Sequence, residues 1–144
     1  MFLRPLSLLF CLVIMAHTAV AADIEITDVW ARPNIAPHTS TVVYLTIRNI
    51  ANKPQELVSI DASDVAGAAK VHQSYVDDKG VSRTVALDKL VLPADSVIEF
   101  NPGGVHIALL DLKANIIKPG DKFNIVFKFL DQEPLSVSVV VSPQ

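Results

Sequence analysis

Sulfur is almost absent from this 144-residue chain, and what there is sits at one end, as Met1, Cys11 and Met15. A single cysteine excludes an intrachain disulfide. Positive charge is not in excess either: 12 Lys and Arg stand against 15 Asp and Glu, for a formal net charge of −3. Without a basic patch there is no electrostatic footprint for a nucleic acid. No long apolar run interrupts the body of the chain, which argues against a multi-pass membrane protein. The common catalytic and phosphate-cradling signatures are missing too, with no GxSxG, HExxH, GxxxxGK[ST] or GxGxxG, so no residue is marked out for enzyme chemistry. What remains is 51% hydrophobic and 19% charged, a composition that excludes a disordered chain and suits one domain with its own core.

The first residues account for part of that hydrophobicity. Met1 to Arg4 is a short positive stretch, Leu6 to Ala16 is apolar, and Ala19-Val20-Ala21 offers small residues around a cleavage point. This is the layout of a secretory signal peptide, which predicts residues 1–21 as the leader and 22–144 as a single exported domain. The apolar run is short for an anchor, and no stop-transfer pattern follows, so no stable membrane insertion is expected after cleavage. Bulky Phe10 before Cys11 speaks against processing as a lipoprotein. Cleavage after Ala21 removes all three sulfur-bearing residues, leaving a mature chain with neither thiolate nor thioether.

The rest reads as strands. Asp23 to Trp30 alternates apolar and polar, and Arg32-Pro33-Asn34 with Pro37 ends it. Thr41 to Arg48 is β-branched and aromatic, the residue types that favour a pleated surface. Glu56–Ala62, Ala68–Val76, Val81–Leu87, Ser96–Phe100, Val105–Leu112, Phe123–Leu130 and Leu135–Val141 follow, separated by turns such as Asp77-Asp78-Lys79-Gly80, Asn101-Pro102-Gly103-Gly104 and Lys118-Pro119-Gly120-Asp121. About nine short strands with a turn every ~8–12 residues, and no amphipathic helix, predict an all-β fold, an antiparallel Greek-key β-sandwich or barrel.

Three histidines survive cleavage. His38 lies in a proline-flanked loop and reads as a surface residue. His106 follows Gly103-Gly104 by two positions, inside a strand that is otherwise apolar, where an imidazole needs a partner. His72 has a similar setting between Val71 and Gln73. Two histidines on separate strands can converge on one metal ion. Asp77-Asp78 reads as a solvated turn rather than a hard-ion site, and Trp30 as packing at the end of the first strand.

Several segments together resemble the PCu(A)C family of periplasmic copper chaperones: Val29-Trp30-Ala31-Arg32-Pro33, Tyr44 to Asn49, Val71-His72, Gly80-Val81, and Pro102 to Ile107. They occur in order along nearly the whole mature chain. The resemblance implies a cupredoxin-like β-sandwich, a periplasmic location, and delivery of copper to the copper centre of cytochrome c oxidase, with that subunit or its assembly proteins as partners. The family's ligand motif, H(M)-x10-M-x21-H-x-M, falls here on His72, Gln73, Thr84, His106 and Ala108. Its spacing is intact and both histidines are present, but every methionine is replaced. The resemblance therefore implies His72 and His106 as metal ligands, with Gln73, Thr84 and Ala108 lining the pocket beside the Asn101–Gly104 turn. Two imidazoles without a soft sulfur suit Cu(I), Cu(II) or Zn(II). The rival reading is a metal-free secreted β-sandwich that docks a partner.

Overall fold

The structure is a computed structural model that describes residues 22–113 and 117–143; the leader expected over 1–21 lies outside them. Ten strands form among the described residues: β1 (Ile24–Ala31), β2 (Thr41–Asn49), β3 (Gln55–Asp61), β4 (Ala66–Val76), β5 (Ser82–Leu87), β6 (Leu90–Leu92), β7 (Ser96–Phe100), β8 (Val105–Leu112), β9 (Lys122–Phe129) and β10 (Leu135–Val141). They join in the order β5-β4-β8-β2-β1-β10-β9-β3-β6, with β7 also paired to β2. The chain is an all-β sandwich whose neighbours in space are mostly distant in sequence.

The period-two pattern fixes which side of each strand is buried. Val43, Leu45 and Ile47 of β2, Ile107 and Leu109 of β8 and Val71 of β4 share one apolar cluster with Leu57 of β3, Ile125 and Phe127 of β9 and Val139 and Val141 of β10. Where β4 and β8 pair around Val71 and Ile107, the even-numbered residues therefore point away from this core, and His72 and His106 are among them.

Two features depart from the expected pattern. β6 was not anticipated: it is three residues long, yet it pairs with β3 and buries Leu92 completely. The sheet is also not wholly antiparallel, because β1 runs parallel to β10 through Trp30↔Val140 and Ala31↔Val141. The last residues of β1 and of β10 run side by side in the same direction, and the short parallel ladder covers edges that would otherwise be unpaired.

β2 holds the middle and changes partner along its length. Thr41–Val43 pair with β8, and Leu45–Asn49 pair with β7. β7 and β8 thus follow one another along the same edge of β2, opposite β1, and the start of β8 is free to pair with β4 on its other side, through Gln73↔Val105, His72↔His106 and Val71↔Ile107.

Candidate metal centre

His106 owes its place to the turn before it. Gly103 has φ 81°, a left-handed conformation that only glycine adopts without strain. A Cβ on Gly104 would stand 2.6 Å from Asn101 Oδ1. The turn is closed by Gly104 N–H donating to Asn101 O at 3.1 Å and Asn101 N–H donating to Val105 O at 2.9 Å. His106 emerges two residues later on the outer face of β8.

His72 is set opposite by the β4–β8 ladder, in which the two histidines are directly paired. Their ring centroids are 5.7 Å apart and the rings meet edge to face, at 77°. An ion held at ~2 Å from an imidazole nitrogen stands roughly 3 Å from that ring's centre, so the separation is within the span of a single ion. His106 Nδ1 lies 3.1 Å from Gly104 O. A carbonyl only accepts, so in the neutral ring Nδ1 carries the proton and Nε2 keeps its lone pair for a ligand. Burial of His72 pushes its pKa below the ordinary value, and nearby His106 and Lys70 push the same way. The ring is thus neutral and ready to donate at neutral pH.

The pair opens onto a groove of about 460 Å³, whose floor includes Ala108 and whose wall is the loop from Arg32 to Ser40. That loop is pinned. Asn34 is buried, donates Nδ2–H to His38 O at 2.9 Å, and accepts the Ile117 N–H on Oδ1. Thr41 Oγ1 donates to Arg32 O at 2.6 Å, and Leu112 N–H donates to Thr39 O at 2.9 Å. Under the loop, Tyr44 is covered by Trp30, with centroids 4.8 Å apart, and by the Arg32 guanidinium at 5.5 Å, within cation–π range.

The motif positions do not all gather there. Ala108 lines the groove. Thr84 is opposite Ser74 on β5, outside the lining, and the two hydroxyls hydrogen-bond at 2.9 Å. Gln73 is the next residue after His72, so the pleat turns its side chain to the opposite face. His38, read from the sequence as a plain surface residue, lines the same groove as His72 and His106. No local signal marks it; only the fold of the loop across β8 brings it there. As the side chains stand, no three His, Cys, Asp or Glu among the described residues are grouped to hold one ion. Asp77 belongs to its turn: Oδ1 accepts from Lys79 N–H and Val81 N–H, and Oδ2 accepts from Arg83 Nε–H at 3.0 Å.

With this geometry in hand, the comparisons with known proteins are specific. Residues 24–141 match the family described as "Putative lipoprotein LpqE-like". The "Uncharacterized protein RP573" of Rickettsia prowazekii strain Madrid E is 34% identical over 125 residues, which cover 84% of this chain and 67% of that protein. The copper-bound PCuAC domain from PmoF2 is similar in fold, with a TM-score of 0.70 at 20% identity over 89% of this chain and 99% of that domain. The solution structure of the Cu(I) form of DR1885 from Deinococcus radiodurans gives a TM-score of 0.62 at 25% identity, covering 84% and 77%. The β-sandwich is the cupredoxin-like one of PCuAC domains.

Proposed function

This chain belongs to the LpqE-like family and shares the fold of PCuAC domains, and on that footing we propose that it is an exported copper-binding protein whose cargo is held between His72 and His106. It is a binding protein, not an enzyme. The observation that carries the reading is the direct pairing of the two histidines, with rings 5.7 Å apart and His106 Nδ1 engaged by Gly104 O. A ligand nitrogen whose partner nitrogen is tied to a carbonyl is the usual arrangement in metal sites.

The donor set is unusual for a copper chaperone. Thioether sulfur is the soft ligand that favours Cu(I), whereas imidazole serves Cu(I), Cu(II) and Zn(II). With Gln73, Thr84 and Ala108 in the methionine positions, the site holds Cu(I) less tightly than a sulfur-bearing one. A site of that kind suits a protein that passes copper on, and the copper centre of cytochrome c oxidase or its assembly proteins are the recipients we propose. Periplasmic export rests on the leader pattern over residues 1–21, with the mature chain starting at Ala22. Intact-mass measurement on periplasmic material tests this; a mass retaining Met1 to Ala21, or one carrying lipid on Cys11, overturns it.

The metal reading is tested by titrating residues 22–144 with Cu(I) against a colorimetric chelator, and with Cu(II) directly. One equivalent bound by the parent and none by His106→Ala is the expected result. Failure of the parent to take up copper would leave the metal-free docking module as the better account.

A further inference from the structure

We infer that His38 is a third nitrogen ligand to the same copper ion, carried over the groove by the Arg32–Ser40 loop. The inference rests on the reading that His72 and His106 hold copper. It begins from position: His38 lines the groove onto which that pair opens, although 34 and 68 residues separate it from them in the chain.

The loop is built to keep His38 there. Buried Asn34 holds the His38 carbonyl with one end of its amide and the Ile117 N–H with the other. The His38 N–H donates to Ile35 O at 3.0 Å, and Thr39 O accepts from Leu112 at the end of β8. The backbone of His38 is therefore fixed to the body of the domain from both sides. Its side chain, by contrast, is exposed, so packing does not dictate its rotamer and the ring swings without the loop moving.

The chemistry of the groove supplies the need. Two imidazoles hold Cu(I) only in linear two-coordination and leave Cu(II) with an incomplete shell. The lining contains no sulfur and no carboxylate, and Arg32 is its fixed cation. The Asn34 carbonyl oxygen is committed to Ile117. His38 is the one further strong metal donor that lines the groove, and imidazole matches the ligand type already present. The three rings are not grouped around one point as they stand. His72 and His106 are the standing half of the site, and His38 closes on the ion when it binds.

The test compares residues 22–144 with His38→Ala and His38→Gln, both first checked by circular dichroism for an unchanged fold. Chelator competition reads affinity, and electron paramagnetic resonance of the Cu(II) form reads the number of bound nitrogens. Loss of one nitrogen from the spectrum, with affinity weakened about tenfold or more, is expected in both variants; a tenfold loss corresponds to roughly 1.4 kcal/mol. Spectra and affinities identical to the parent would overturn the role of His38 while leaving the His72–His106 site standing. A parent that takes up no copper would overturn both.

Discussion

At the scale of single residues, the proposed site depends on an absent Cβ as much as on a present imidazole. Gly103 carries φ 81°, and any L side chain in that conformation is strained by about 1–2 kcal/mol. Gly104 has an ordinary φ but faces Asn101 Oδ1, the end of a side chain that can rotate away. Gly103→Ala is therefore expected to destabilise by about 1–2 kcal/mol and Gly104→Ala by less, in urea denaturation. Equal costs would mean the turn is held by close packing and not by its left-handed residue. A second residue-scale effect concerns protons. The His72 pKa is lowered from 6.5 by burial first, then by His106 and Lys70. The unfolded chain therefore binds a proton at a pH where the folded one does not, and stability of the metal-free protein is lost as pH falls from about 6.5 toward the lowered value. His72→Gln is expected to flatten that part of the profile in denaturant titrations between about pH 7 and pH 5; an unchanged slope would show that His72 is as easily protonated folded as unfolded. The meeting of His72 and His106, seen in the β4–β8 ladder, was legible in the sequence through their strand settings and the motif spacing of the family that the chain resembles. His38 was not, because the link that brings it to the groove runs from Asn34 to Ile117 across most of the chain.

Among the elements, the two strands that carry His72 and His106 were readable by residue type and not by alternation: β8 is apolar almost throughout, and β4 opens on small residues. The Asp77–Gly80 turn that follows β4 was readable from residue types as well: Gly80 has φ 75° and Asp77 caps the turn. What eluded the pattern was pairing over distance. Leu90–Leu92 is too short for periodicity and runs into Pro93, and only its burial against β3 makes it a strand. The parallel contact of β1 with β10 has no sequence signature, since it brings together Trp30–Ala31 and Val140–Val141 from opposite parts of the chain. The same distinction separates two motif positions that spacing treats alike. Ala108 is on β8, two residues beyond His106 on the same face, and lines the groove; Thr84 is on edge strand β5, bonded to Ser74. A thioether at 108 therefore stands beside the proposed position of the ion, while one at 84 must reach across the sheet. Ala108→Met is expected to tighten Cu(I) about tenfold, roughly 1.4 kcal/mol, and Thr84→Met by less, with Cu(II) changed little by either. Ala108 is only 6% exposed, so the variant also needs a thermal melt to show that the longer side chain is accommodated. If Thr84→Met proves the stronger of the two, the ion sits toward β5 and not over Ala108.

For the whole molecule, the proposed metal site and the fold are one arrangement. His72 and His106 are brought together by the β4–β8 ladder, and β8 in turn is held by β2 at the centre of the sandwich. The unfolded chain has no such pair, because residues 72 and 106 are then joined only by a long flexible segment. Copper that binds between them is bound by the native state in preference to the unfolded one, and must stabilise the fold by mass action. At a free copper concentration a hundredfold above Kd the gain is about 2.7 kcal/mol, which for a domain of this size raises Tm by roughly 10 °C. Differential scanning fluorimetry of residues 22–144, with and without buffered copper, measures it. His106→Ala is expected to melt at the same temperature in both conditions, and Gly103→Ala, which loosens the turn but keeps both rings, to gain less than the parent. The alternative outcome is informative in kind. If copper binds with one-to-one stoichiometry yet leaves Tm unmoved, the ion is held equally well by the unfolded chain, and the ladder that pairs His72 with His106 contributes nothing to its capture.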